Sequence, residues 1–305
     1  MIDKPVPVAT LDVVAEVPAA MQVTGRDAGW LRARQGVPAP LAFLEGPVPA
    51  PDGGLYLVDV AWGRLLHLSA GGEFRVLLDC GGEPNGLALR PDGSLLIADY
   101  QQGLRVVDDP AAASPEARIL ADADLHGFIG LNDVIVDRHG AAYVTDQGDS
   151  GLHDPCGSVR RCDADGRVST VIGGLPSPNG LLVDEDDDTL YVAMTRDIAI
   201  WRIPFRDGRL GRVGRFLQLS GGIGPDGMAR GPQGSFLIAH LGRGVVSVYD
   251  RTGAPAMVLR SPRGLAVTNL CLHPDGRLYV TESESSSVLG LELSRLTEVL
   301  ERRDR

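Results

Sequence analysis

A chain of 305 residues with 39 Gly and 21 Pro is interrupted too often for long helices, which favours many short strands. Its formal net charge is −11, and its 29 Lys and Arg form no basic stripe. This argues against nucleic acid, whose phosphates need clustered cations, and suits cation partners better than anions. No run approaches the roughly 18 apolar residues of a membrane span, and Asp3, Asp12 and Glu16 stand where a secretory leader needs a basic head and an apolar core, so a cytoplasmic protein is expected.

Taken in chain order, residues 1–40 are expected to form an extension that supplies a closing strand or covers a channel. Residues 41–293 then repeat one pattern six times: a short apolar run, a turn, a second apolar run, a polar break and further β-rich sequence. The turn and second run are seen as DGGLYLVDV from Asp52, DGSLLIADY from Asp92 and HGAAYVTDQGD from His139. They recur as DDTLYVAM from Asp187, QGSFLIAHL from Gln233 and DGRLYVTES from Asp275. Asp-Gly and His-Gly are hairpin-turn chemistry, and the runs after them carry the Leu, Val, Ile and Tyr that strands require. A period of 40–50 residues with four strands per unit is the signature of a propeller, so the fold class expected is all-β, a six-bladed β-propeller. The acidic run from Glu185 to Asp188 reads as a solvated hairpin turn. Residues 294–305 are expected to form a short helical tail, with Ser294 as N-cap and Leu296 and Leu300 on one face. Cys80, Cys156, Cys162 and Cys271 are expected as reduced thiols. Cys156 and Cys162 are near enough for a loop disulfide, and neither pair has zinc spacing.

One polar residue precedes the first run of every repeat: Glu45, Asn85, Asn132, Asn179, Asp226 and Asn269. Their separations are 40, 47, 47, 47 and 43 residues. Rotation about a propeller axis would bring these six into a ring facing the central channel. Because strands alternate in direction, the second strand of each blade would end beside that ring. Asp59, Asp99 with Tyr100, Asp146, Thr195, His240 and Glu282 are therefore expected to wall a pocket, and Asn85 to reach its contents. Carboxylate and amide oxygens are hard ligands, so the ring points to one divalent cation, calcium first, with Mn, Mg, Zn or Fe as alternatives.

The segments LEGPV at 44–48, YLVDV at 56–60, LND at 131–133, SPNGL at 177–181, GPDGM at 224–228 and LYVTES at 278–283, in this order, resemble the gluconolactonase / senescence-marker-protein family. That family includes regucalcin and bacterial lactonases. The resemblance implies a six-bladed propeller with one divalent metal on its axis, ligated by Glu45, Asn179 and Asp226, with Asn132 completing the site directly or through water. It also implies that Asp226 acts as base or nucleophile in opening a lactone ring. Two departures stand out. Pro49 and Ala50 follow the first motif where sugar lactonases often carry a Trp. Gly130, within HGFIGLND, stands where they often carry an Arg that holds sugar hydroxyls; without its five donors a polyol is recognised less well. His126 and Phe128 in that loop are candidates for a different wall.

The function expected is a metal-dependent lactone hydrolase whose partner is a small lactone or ester, working as a monomer or dimer. A phosphotriester or aryl-ester hydrolase on the same metal is one alternative, since the same cation polarises P=O, and a non-enzymatic binding propeller is another. A metal-free condensing enzyme resembling strictosidine synthase would need a catalytic Glu in the pocket, for which Glu282 is the well-placed candidate. No G-x-S-x-G motif offers a serine nucleophile, and no Gly-His…Trp-Asp repeat marks an interaction propeller.

Overall fold

The computed structural model describes residues 6–24, 40–184, 188–206 and 209–303. Two sequence expectations fall partly outside these residues: the acidic turn at 185–188 and the role of residues 25–39 in the N-terminal extension.

Six small sheets are arranged around an axis, and the first strands of successive blades contact one another all the way round, the sixth against the first. Each blade begins at the axis. In blade one the strands are Leu44–Pro49, Leu55–Asp59, Arg64–Leu68 and Phe74–Asp79, antiparallel throughout. The turn between the first two strands is built as its sequence suggests. Gly53, Gly93, Gly140 and Gly276 take φ of +85°, +88°, +84° and +88°, conformations open to glycine at little cost. Asp52 and Asp92 accept backbone N–H bonds from Gly54 and Ser94 across the turn, at 3.0 and 2.9 Å.

Blade stacking explains the continuous apolar runs. A second or third strand is covered on both faces by neighbouring blades, and Leu55–Asp59, Leu95–Asp99 and Gly103–Val107 are buried at every residue. Fourth strands have one face in solvent, and Phe74–Asp79 is partly exposed along its length. The core is divided accordingly into six apolar clusters, one at each interblade interface. Leu96, Leu104, Val134 and Val144 fill that between blades two and three; Leu44, Leu57, Cys271 and Val288 fill that between six and one.

The ring is closed by the N-terminal segment. Asp12–Glu16 pairs antiparallel with Ser287–Glu292 as the outermost strand of blade six, and Val8–Thr10 pairs parallel on the edge of blade five. Leu11 and Ala15 enter the clusters flanking blade six. The tail is a helix, Leu293–Arg303. Leu296 and Leu300 are buried in the cluster between blades five and six. Ser294 lies inside this helix rather than capping it, because the helix begins directly from the last strand of blade six. All four cysteines are free thiols, Cys156 and Cys162 included. No helix among the described residues is long and apolar enough to cross a membrane.

Candidate functional site

Every innermost strand breaks register just after it starts. Leu131 pairs with Asp146 and pairing resumes at Val134 with Val144; Pro178 and Leu181, Pro225 and Met228, and Val267 and Leu270 behave alike. A bulge of this kind re-aims side chains, here at the top of each first strand. In this register Glu45, Asn85, Asn132, Asn179 and Asp226 are equivalent. The sixth equivalent is Thr268, and Asn269 is one residue further along. The expectation that Asn269 belongs to the same tier is therefore corrected. Thr268 Oγ1 instead donates to the Leu44 carbonyl at 2.9 Å and ties blade six to blade one.

Asn269 is the counterpart of Asp133. Both backbone N–H groups donate to a threonine hydroxyl, Thr281 and Thr145 respectively. Both side chains accept from the following N–H, at 2.8 and 2.9 Å. The other blades carry glycine at this tier: Gly46, Gly86, Gly180 and Gly227. A Cβ on Gly86 would lie 2.6 Å from Asp133 Cα, and one on Gly227 would overlap the Asn269 amide. The glycine after the ring residue thus reflects close approach of the next blade, not turn chemistry. Asp133 stands out in the sequence as a carboxylate where most blades keep glycine, and that was the available signal for it.

Glu45, Asp226 and Asp133 are 5%, 4% and 8% exposed. Burial first, then the nearby Asp226 carboxylate, raises the Glu45 carboxyl well above its ordinary range, against bonds from the Gly46 N–H and the Asn269 side chain. Burial and then Asp133 raise the Asp226 carboxyl, opposed by a bond from the Asn179 side chain. Burial pushes Asp133 up to about 7. The charges acting on Glu45 and Asp226 are thus negative, in a place where an anion loses its hydration.

Glu45 and Asp226 floor a cavity of about 650 Å³, a size suited to a small organic molecule; Asp133 lies outside its lining. Glu45, Asn85, Asn132, Asn179 and Asp226 line it, with Tyr100 and Thr195 on its wall. Other lining residues come from the loop at 147–153, which periodicity could not place because it lies between strands. Asn132 is oriented by that loop: its Nδ2 donates to Gln147 Oε1 at 3.0 Å, leaving Oδ1 for the axis. Gln147 in turn donates to Ser177 Oγ at 3.0 Å, and Ser150 Oγ accepts from the Ser177 N–H at 2.9 Å.

Several expected wall residues lie elsewhere. Asp146 accepts the N–H groups of Ile129 and Gly130, at 2.8 and 3.0 Å, and does not line the cavity. His240 is fully buried, with Nε2 2.8 Å from the Gly221 carbonyl, and is likewise outside the lining. Asp59, Asp99 and Glu282 bind the backbone of the same kind of entry loop, through Phe43, Glu83 and Ala266. The last residue of a second strand therefore latches the loop entering its own blade, and the wall is built from residues just beyond it, such as Val60, Tyr100 and Gln147. His126 sits at the end of the short helix Ala123–His126, Nδ1 3.0 Å from the Asp122 carbonyl and stacked on Phe128, also away from the cavity.

Among the described residues no three His, Cys, Asp or Glu side chains form a metal cluster by themselves. A cation at the axis would rest on Glu45 and Asp226 together with the amide oxygens of Asn132 and Asn179. That donor set fits a hard divalent ion, and such an ion would favour the ionised form that burial opposes in Glu45 and Asp226.

The sequence profile described as "SMP-30/Gluconolactonase/LRE-like region" matches residues 43–284. A pentonolactonase of Haloferax volcanii is 32% identical over 217 residues, spanning 68% of this chain and 70% of that protein. A gluconolactonase of Zymomonas mobilis is 25% identical over 306 residues, spanning 90% and 82%. The crystal structure of a calcium-binding protein, regucalcin, from Agrobacterium tumefaciens superposes with a TM-score of 0.74 at 22% identity, covering 93% of this chain and 95% of that one; at that identity the likeness concerns the fold.

Proposed function

The chain belongs to the SMP-30/gluconolactonase/LRE-like family, and we propose that it is a metal-dependent lactone hydrolase with its reaction centred on Asp226. The observation that carries this reading is the buried set Glu45, Asn132, Asn179 and Asp226 gathered at the floor of one cavity. A divalent cation bound by these four residues would supply a Lewis acid for the carbonyl oxygen of a cyclic ester and hold the Asp226 carboxyl in its charged form.

The remaining work falls to the chain. The Asn179 side chain favours the charged form of the Asp226 carboxyl. Asn269 does the same for Glu45, and Gln147 orients Asn132 by accepting from its Nδ2. Asp226 either takes a proton from the attacking water or itself attacks the carbonyl carbon. In both routes the ring C–O bond breaks, the former ring oxygen takes up a proton, and water is consumed to give a hydroxy acid. Asn85 and Tyr100 line the wall against which the lactone ring would lie.

The test is a panel of sugar, aliphatic and aromatic lactones, assayed on chelated protein to which Ca²⁺, Mn²⁺, Mg²⁺, Zn²⁺ or Fe²⁺ is restored. Turnover that depends on the added ion supports the proposal. Full activity after exhaustive chelation would sink it, as would unchanged turnover in a folded Asp226→Ala variant.

A further inference from the structure

The wall above Asn132 is aromatic. Gly130 has φ of +145°, and a Cβ there would lie 2.5, 2.6 and 2.9 Å from Tyr100 Cε2, Cζ and Cδ2. The Tyr100 ring therefore occupies the space that any side chain at position 130 would need. The exchange is fixed by backbone bonds: the Gly130 N–H donates to Asp146 Oδ1 at 3.0 Å, and its carbonyl accepts from Gln147 at 2.8 Å.

Much of the polar lining is already engaged. Asn132, Gln147, Ser150 and Ser177 bond to one another, and Thr195 Oγ1 donates to the Pro225 carbonyl at 2.9 Å. A polyol would have to displace these bonds to be held by them, and groups left unpaired by such a loss are costly. The mouth is mixed: the exposed Asp149, His153 and Arg196 line the cavity, and two exposed apolar side chains line it beside them. Leu152 and Ile223 line the cavity while 65% and 44% exposed. Ile129, 44% exposed, lies against Gly148 of the same wall. Single exposed apolar residues are ordinary, but Leu152 and Ile223 are exposed on the cavity itself, where an apolar surface serves binding.

We propose that the lactone bound here carries a hydrocarbon substituent, which lies along Tyr100 and leaves the cavity past Leu152 and Ile223. This inference rests on the lactonase reading for its chemistry but makes a separate claim about the substrate class. The substituent extends away from the polar floor, so lengthening it adds apolar contact without disturbing the carboxylates.

The experiment is a series of γ-lactones with unbranched alkyl substituents of increasing length, compared with a neutral sugar lactone. Turnover is measured with the metal restored, and binding is measured by calorimetry. Expected is a gain in kcat/KM and in affinity of about fourfold per added methylene until the chain passes the rim. Tyr100→Ala should lower this gain from the shortest chains onward, and Leu152→Ser only for the longer ones. Turnover of the unsubstituted lactone with no dependence on chain length would overturn the inference and leave the hydrolase reading standing. A sugar lactone preferred over every alkyl lactone would overturn it equally. Affinity that climbs with chain length while no lactone is hydrolysed would support the ligand class and refute the hydrolase reading.

Discussion

Replacing Asp226 with Asn separates the stability of the fold from the chemistry of the site. Asn keeps the size of the side chain and its partner Asn179, but removes a carboxyl that is 4% exposed and whose ionisation is opposed by burial and then by Asp133. A buried, uncompensated charge is worth several kcal/mol of penalty, and relieving one typically returns on the order of 1–3 kcal/mol. Without divalent cation, Asp226→Asn is therefore expected to unfold at a higher temperature than wild type, by roughly 2–4 °C for each kcal/mol gained. With calcium the order reverses. Wild type gains about 2.7 kcal/mol at a hundredfold excess of ion over Kd, while the variant, short of one carboxylate ligand, gains little. Paired melts of both proteins in chelator and in calcium, monitored by circular dichroism or calorimetry, give the four midpoints. A variant less stable than wild type in chelator, or one that gains as much from calcium, would refute the reasoning.

Gly130→Ala should destabilise the protein by about 1–3 kcal/mol, since it puts a side chain at a backbone angle that costs that much and drives it against Tyr100; denaturant melts with Tyr100→Ala as the second arm of a cycle separate strain from clash. His240 is held neutral by burial, its pKa below the ordinary 6.5, so the unfolded chain takes up a proton that the folded one refuses. Stability then falls as pH drops below about 6.5, by at most about 1.4 kcal/mol per pH unit from this group, and His240→Gln should show a shallower loss between about pH 6.5 and 5. Removing residues 1–16 strips the outer strand from blade six and Leu11 and Ala15 from the core. The loss of Leu11 burial alone is worth about 1.5–3 kcal/mol. The freed edge at Ser287–Glu292 should also pair between molecules, which size-exclusion chromatography would show as larger species.

The propeller was legible because its period is long and regular: each Asp-Gly or His-Gly turn and each apolar run recurs in all or most blades. The axial tier was legible for the same reason in five blades. It failed in the sixth because Thr268 and Asn269 are adjacent, and a residue count cannot see which of two neighbours a bulge turns to the axis. Asp133 was overlooked beside Asn132 for the same physical reason. Asp146 and His240 were misplaced because a strand end beside the axis can point its side chain either into the cavity or back at its own entry loop, and backbone N–H groups needing partners decide the matter. The Gln147–Ser177–Ser150 network depends on loop geometry, where no periodicity operates. Gly130 was visible as a missing side chain, but its replacement by the Tyr100 ring comes from the neighbouring blade and needs the fold to be seen.

Calorimetric titration of calcium into chelated protein tests the centre most directly. One ion should bind per chain in wild type, and Glu45→Gln and Asp226→Asn should each lose most of that affinity while keeping their circular dichroism spectra. No calcium, manganese, magnesium or zinc binding to folded wild-type protein, or unchanged binding in both variants, would contradict the assignment of these residues as a cation site.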